Sequence, residues 1–202
     1  MSFGGLFDVR KQLTFYGAYH SNSTNIAIHV VCVPLLIWTF QVLACDIPVP
    51  SSFPNIHYTF NDYLAFDFNF TFIQAALYLA YYYALEPTAA FLYTPQMILS
   101  VLTAQSFAHK ADHVTIAAVV HGVCWIAQFI GHGVAEKRAP ALVDNLLGAV
   151  VLAPFFVHLE VLFALGYRPE MHKQLKNDVG VEIARIKKIE GDKKRAAEKK
   201  EL

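Results

Sequence analysis

Nine histidines punctuate a chain of 202 residues that is otherwise rich in apolar side chains. An ionisable side chain in or beside an apolar helical segment is costly, so these residues are the first candidates for chemistry. His20 stands just ahead of a long apolar run and His29 lies one turn inside it. His132 lies in Gln128-Phe129-Ile130-Gly131-His132-Gly133-Val134-Ala135-Glu136-Lys137-Arg138. His132 and Glu136 are four residues apart and share one face of a continuous helix. Imidazoles with a carboxylate suit a divalent transition metal, and two histidines with one carboxylate are the donor set of non-haem Fe(II) oxygenases. Asn25, four residues before His29, lies on the same face and can support it.

These residues meet only if the elements carrying them are arranged for it. On an unbroken helix the nine residues from His20 to His29 advance about 900°, which puts the two rings on opposite faces. Residues 21–25 read Ser-Asn-Ser-Thr-Asn, all capping types, so a helix is predicted to begin there and His20 to fold back over it. His121, Trp125, Gln128 and His132 fall on one helical stripe, yet eleven residues separate the two histidines by about 16 Å along the axis. His121 is therefore expected to be a polar packing residue. His109 and His113 sit in a short loop at the opposite membrane face, and His57 and His172 look like surface residues. His158, with Glu160, approaches the cluster only if its segment is re-entrant.

With 55% hydrophobic and 16% charged residues, the composition is too apolar for an ordinary soluble domain. Five apolar runs, at about residues 26–44, 70–85, 89–108, 114–130 and 146–165, approach the roughly 20 residues that cross a bilayer as a helix. The predicted fold is all-α: a polytopic helical membrane protein with four to five hydrophobic segments and a charged C-terminal tail. The membrane-embedded catalytic domain is expected over residues 1–168 and the cytosolic tail over 169–202. Glu86-Pro87 should close a tight helical hairpin. Residues 46–69, rich in proline and aromatics, read as an interfacial loop at headgroup depth. The last run carries Pro154, His158 and Glu160 and is expected to be re-entrant or in-plane.

No Lys or Arg occurs between Lys11 and Lys110, and ten of the sixteen cations lie from Lys173 onward. The positive-inside rule puts the N-terminus, the Lys137 loop and the tail in the cytosol. Lys199-Lys200 near the C-terminus resembles the dilysine signal that returns membrane proteins to the endoplasmic reticulum. The tail cations alternate with acidic residues, which argues against nucleic acid as a partner. Walker A, GxGxxG and GxSxG motifs are absent, so neither a nucleotide cofactor nor a nucleophile-elbow hydrolase is expected. Cys32, Cys45 and Cys124 form no CxxC and predict no disulfide framework. A cleaved signal peptide is not expected, nor are glycans at Asn22 and Asn69, where the sequons are weak patterns.

Tyr19-His20, Asn25, His29, Pro34, Gln128-Phe129-Ile130-Gly131-His132-Gly133, Glu136-Lys137-Arg138, Pro140-Ala141-Leu142, Asp144-Asn145-Leu146 and Ala153-Pro154-Phe155-Phe156 closely resemble the fungal 2-hydroxy fatty acid dioxygenase family. The resemblance runs from about residue 6 to about residue 169, and its His-Gly-x-x-Glu-Lys-Arg-x-Pro-Ala-Leu block is specific. It implies an endoplasmic-reticulum enzyme that uses Fe(II) and O2 to shorten a long-chain 2-hydroxy fatty acid by one carbon, in phytosphingosine breakdown. His20, His29 and His132 stand at the family's histidine positions and would ligate iron. Glu136 would be a fourth ligand or an acceptor orienting His132, and Asn25 would support the ligands from behind. Lys137 and Arg138 would attract the substrate carboxylate, and the acyl chain would lie between the apolar helices. Two other readings differ in class. A non-enzymatic lipid-binding or scaffold protein would hold no stoichiometric metal, and a haem carrier would show a Soret band and two histidines facing across one haem. The His-x-x-His-His boxes of lipid desaturases and hydroxylases are missing.

Overall fold

In a computed structural model the described residues are 6–137 and 148–201. Seven α-helices follow in chain order: α1 Val9–Tyr19, α2 Ser23–Ala44, α3 Phe70–Leu85, α4 Pro87–Ala108, α5 His113–Ile130, α6 Ala153–Ala164 and α7 Pro169–Glu201. All five apolar runs are helical over their described parts. The segment between α2 and α3 is a correction to the all-α expectation, because it contains an antiparallel hairpin, β1 His57–Asn61 with β2 Leu64–Asp67. Its sequence sets large apolar residues at every second position, Tyr58 and Phe60 before Asn61-Asp62 and Leu64 and Phe66 after it, a hairpin signal outweighed in the loop reading by the prolines ahead of it. The Tyr63 N–H donates to Asn61 Oδ1 at 2.8 Å and tightens the turn.

The first four helices start on side-chain caps. Asp8 accepts from the Lys11 N–H at 3.1 Å, and Asn69 from the Phe72 N–H at 3.3 Å. Between α3 and α4, Glu86 ends one helix and caps the next, accepting from the Ala89 N–H at 2.6 Å. Pro87 fills the first helical position, where a missing N–H costs nothing, so the predicted tight hairpin forms. Buried Glu86 also takes the Tyr167 hydroxyl at 2.9 Å and the Arg168 guanidinium at 2.7 Å, tying the hairpin to the turn between α6 and α7.

The main apolar core joins α1, α3, α4, α6 and the start of α7. Tyr82 stacks on Phe155 with centroids 4.5 Å apart, among Tyr93, Met97 and Leu159. The first turns of α7 pack on α1. Leu175 belongs to this core, Arg10 pairs with Asp178, and a side chain at Gly17 would meet Val179 at 2.7 Å. At the other end, Gln105 holds the hairpin like a strand partner. Its Nε2 donates to the Asp67 carbonyl at 2.7 Å and its Oε1 accepts from the Asp67 N–H at 3.0 Å.

α2 and α5 run antiparallel, as three cross-pairs show: His29 with His132, Thr39 with His121, and Asp46 with His113. Among the described residues two helices can cross a membrane by length and composition, Ser23–Ala44 and His113–Glu136. A third span is reached only if Val150–Ala164 and Pro169–Lys193, bent by 120°, are counted together. On α5, Val119, Val123, Ile126 and Ile130 are exposed at spacings of four, three and four. That is an apolar stripe left uncovered by the described residues, the pattern of a lipid-facing helix.

Candidate metal centre

Between α1 and α2 the chain turns within three residues. His20 is the C-cap of α1, its N–H donating to the Gly17 carbonyl at 3.2 Å, and Asn22 caps α2 by accepting from the Thr24 N–H at 2.9 Å. This corner folds His20 over the first turn of α2 as the capping residues predict, leaving the His20 and His29 ring centroids 4.4 Å apart. At its C-terminal end α5 widens into a π-helical turn, Gly131–Glu136. Such turns recur at functional sites because they re-aim side chains. Here the turn delivers His132, with centroids 4.8 Å from His20 and 4.9 Å from His29. All three rings are buried, and one nitrogen from each lies within 4.8 Å of the others.

His20 Nδ1 is 2.9 Å from the Tyr16 carbonyl, and His29 Nδ1 is 2.9 Å from the Asn25 carbonyl. A carbonyl only accepts, so both Nδ1 atoms carry the proton and both Nε2 atoms present a lone pair. Burial first, and the electrostatic influence of neighbouring His29 second, hold His20 well below the usual histidine range, the direction that favours the neutral ring a ligand must be. His20 Nε2 and His132 Nδ1 are buried without a hydrogen-bond partner among the described residues. A buried polar atom left so costs about 1–3 kcal/mol. A metal ion shared by the three rings would remove that cost, and an all-imidazole set suits a divalent transition metal.

Glu136 does not join the group of donor atoms. Its carboxylate turns to the α1–α2 corner, accepting from the Ser21 N–H at 3.1 Å, the Ser21 hydroxyl at 2.5 Å, the Asn22 N–H at 2.9 Å and Asn25 Nδ2 at 3.3 Å. Asn25 is fully buried and also reaches the Tyr19 carbonyl at 3.4 Å. Its side chain thus touches the turn of His20 and the carboxylate beyond His132, and its own carbonyl is the backbone partner of His29. Gly131 permits this closeness, since a Cβ there would lie 2.6 Å from Asn25 Oδ1 and 3.1 Å from Ile28 Cδ1.

Two contributors escaped the sequence reading. The Tyr16 ring stacks on His20 at 3.9 Å, backed by Phe156 at 4.8 Å, and Ser21 supplies two of the donors to Glu136. Their signal was available: Tyr16 lies one turn before His20 and Ser21 directly after it. Lys137 is exposed, closing the π turn in a left-handed conformation with φ 56°. Arg138 lies outside the described residues, as do Pro140-Ala141-Leu142 and Asp144-Asn145-Leu146.

The remaining histidines do not enter this group. His121 bonds to Thr39 and Trp125, His158 packs on Tyr93 at 5.1 Å, and His172 stacks on Phe163. His57 and His109 flank Asp67 in a second, exposed group, at 2.5 Å and 3.3 Å, where they link the hairpin to the end of α4.

Residues 6–165 match the family model described as 2-hydroxy-palmitic acid dioxygenase Mpo1-like. The chain is 32% identical over 178 residues to the 2-hydroxy-palmitic acid dioxygenase MPO1 of Saccharomyces cerevisiae, covering 88% of this chain and 92% of that protein. No solved structure matches. His20, His29 and His132 all fall inside the matched range, and the chain belongs to the 2-hydroxy-palmitic acid dioxygenase Mpo1-like family.

Proposed function

We propose that this protein is an Fe(II)-dependent dioxygenase that converts a long-chain 2-hydroxy fatty acid to the acid one carbon shorter, as in the α-oxidation step of phytosphingosine breakdown. The observation that carries the reading is the triad of buried histidines with converging nitrogens, in a chain whose relative is named for this reaction. The reaction balances without a cosubstrate: R-CH(OH)-COOH plus O2 gives R-COOH, CO2 and water. The substrate's own C–C bond breaks, and its two lost electron pairs reduce O2.

His20, His29 and His132 would hold the iron. When bound, Fe(II) would supply the reaction with O2 that no side chain here can perform. The Tyr16 and Asn25 carbonyls hold His20 and His29 in the ligating tautomer. Asn25 and Glu136 act as positioning residues, locking the corner of His20 to the turn of His132. Lys137 stands exposed beyond that turn, suited to draw an anionic headgroup toward the site, and Arg138 is assigned the same role from its place in the sequence. We read the enzyme as an endoplasmic-reticulum membrane protein with site and tail facing the cytosol. Two apolar helices of crossing length and the placement of the cations support this orientation.

The test is to purify the protein anaerobically in detergent, load Fe(II), and measure O2 uptake and the shortened acid. A long-chain 2-hydroxy acid should turn over, while the unhydroxylated acid and the chelated enzyme should not. No bound iron and no uptake would replace this reading with that of a lipid-binding scaffold.

A further inference from the structure

Below the triad, α2 and α5 present two stripes to each other. On α2 they are His29, Val33, Leu36 and Phe40, and on α5 His132, Gln128, Trp125 and His121, both series stepping away from the metal centre by four, seven and eleven residues. Beneath the histidines these side chains, with Tyr78 and Pro154, line an apolar groove of 270 Å³. Val33, Ile37 and Gln128 form its buried wall, whereas Phe40 and Val150 at its rim are exposed, so the groove opens sideways from the bundle.

Three features identify its occupant. The groove lining runs about 10 Å along α2 from Val33 to Phe40; with the one turn up to His29, its far end lies about 16 Å from the histidine triad, close to half the roughly 30 Å hydrocarbon core and therefore to the depth reached by one acyl chain in one leaflet. Its lining is apolar except at the two ends. At the upper end Gln128, one turn from His132, buries an Nε2 with no partner among the described residues, a donor left for an acceptor that enters the groove. At the lower end the polar groups are all satisfied. Trp125 Nε1–H can only donate, so His121 Nε2 accepts it at 3.0 Å, and His121 Nδ1–H passes to Thr39 Oγ1 at 2.8 Å. Thr39 in turn donates to the Leu35 carbonyl at 2.8 Å. This chain of bonds pins the Trp125 indole in the groove lining.

We infer that the groove is the acyl-chain subsite, entered laterally from the bilayer, with Gln128 receiving the oxygenated head of a fatty acid and the pinned Trp125 limiting how long a chain fits beneath it. The identity of the occupant rests on the dioxygenase reading, but the groove can be tested without turnover.

The protein has two tryptophans, and Trp38 lies outside the groove, bonded to Thr103. In Trp38→Phe protein, iron-loaded and kept under argon, Trp125 is the sole indole emitter. A 2-hydroxy fatty acid brominated in its distal half should quench that emission saturably and be displaced by the unbrominated acid, whereas bromine beside the carboxyl should quench less. In turnover, Trp125→Ala should shift preference toward longer acids and Val33→Phe toward shorter ones, by about tenfold per methylene. Equal, unsaturable quenching by both brominated acids, with an unchanged chain-length profile in both variants, would overturn the subsite. If no acid is consumed, the dioxygenase reading fails, and the quenching alone still decides whether the groove holds an acyl chain.

Discussion

The carboxylate of Glu136 accepts both the backbone N–H and the hydroxyl of Ser21, so the end of the helix carrying His132 is bonded to the residue that follows His20. With its oxygens committed to the α1–α2 corner, Glu136 is proposed to orient the ligands and not to be one. Glu136→Gln should therefore keep one metal per chain but weaken Fe(II) affinity by about 10–100-fold, as loss of an orienting partner does. Anaerobic metal titration checks this, and loss of the metal altogether in a folded Glu136→Gln protein would make Glu136 a ligand.

The three histidines should behave as one unit. His20→Ala, His29→Ala and His132→Ala should each bring bound iron close to zero and abolish O2 uptake. His158→Ala and His109→Ala, which alter histidines outside the group, should keep the metal. Metal analysis of the purified variants, with circular dichroism to confirm folding, reads the difference. Full activity in folded His132→Ala protein would contradict the proposed centre.

Gly131 and Gly133 make opposite predictions two residues apart. A Cβ at Gly131 would lie 2.6 Å from Asn25 Oδ1, while a Cβ at Gly133 would meet nothing within 4 Å. Overpacking at the first site should cost about 1–3 kcal/mol and displace Asn25, lowering both the midpoint of thermal unfolding and the iron affinity. Gly133→Ala should leave both close to the parent values. Thermal melts of the two proteins side by side provide the comparison.

Far from the histidine triad, Gln105 is the buried anchor of the hairpin. Gln105→Leu leaves the Asp67 N–H and carbonyl without their partner, at about 1–3 kcal/mol for a buried group stranded in this way. The expected outcome is a lower unfolding midpoint and faster hydrogen exchange over residues 57–67, with iron stoichiometry unchanged. Loss of the metal would mean that the two ends of the bundle are coupled.

The histidines that converge were legible from residue types and local spacing. His20, His29 and His132 stood out because histidine is rare in apolar segments, and residues 21–25 announced the break that lets His20 fold back, because a run of Ser, Asn and Thr competes for backbone N–H groups. The Glu86-Pro87 hairpin and the helical runs were equally local, set by capping and apolar periodicity. The hairpin at 57–67 carried a period-two signal too, but prolines and scattered aromatics also describe a surface loop, and the docking on Gln105 that separates the two comes from 38 residues away. The role of Glu136 was beyond local reading for the same reason. Its spacing from His132 permits ligation, and only the approach of Ser21, 115 residues distant, claims its oxygens. Likewise, the antiparallel register of α2 against α5 turned two unrelated stripes into one groove. Spacing along one helix fixes which side chains share a face, whereas the partner of that face depends on how separate helices pack, which no single segment encodes.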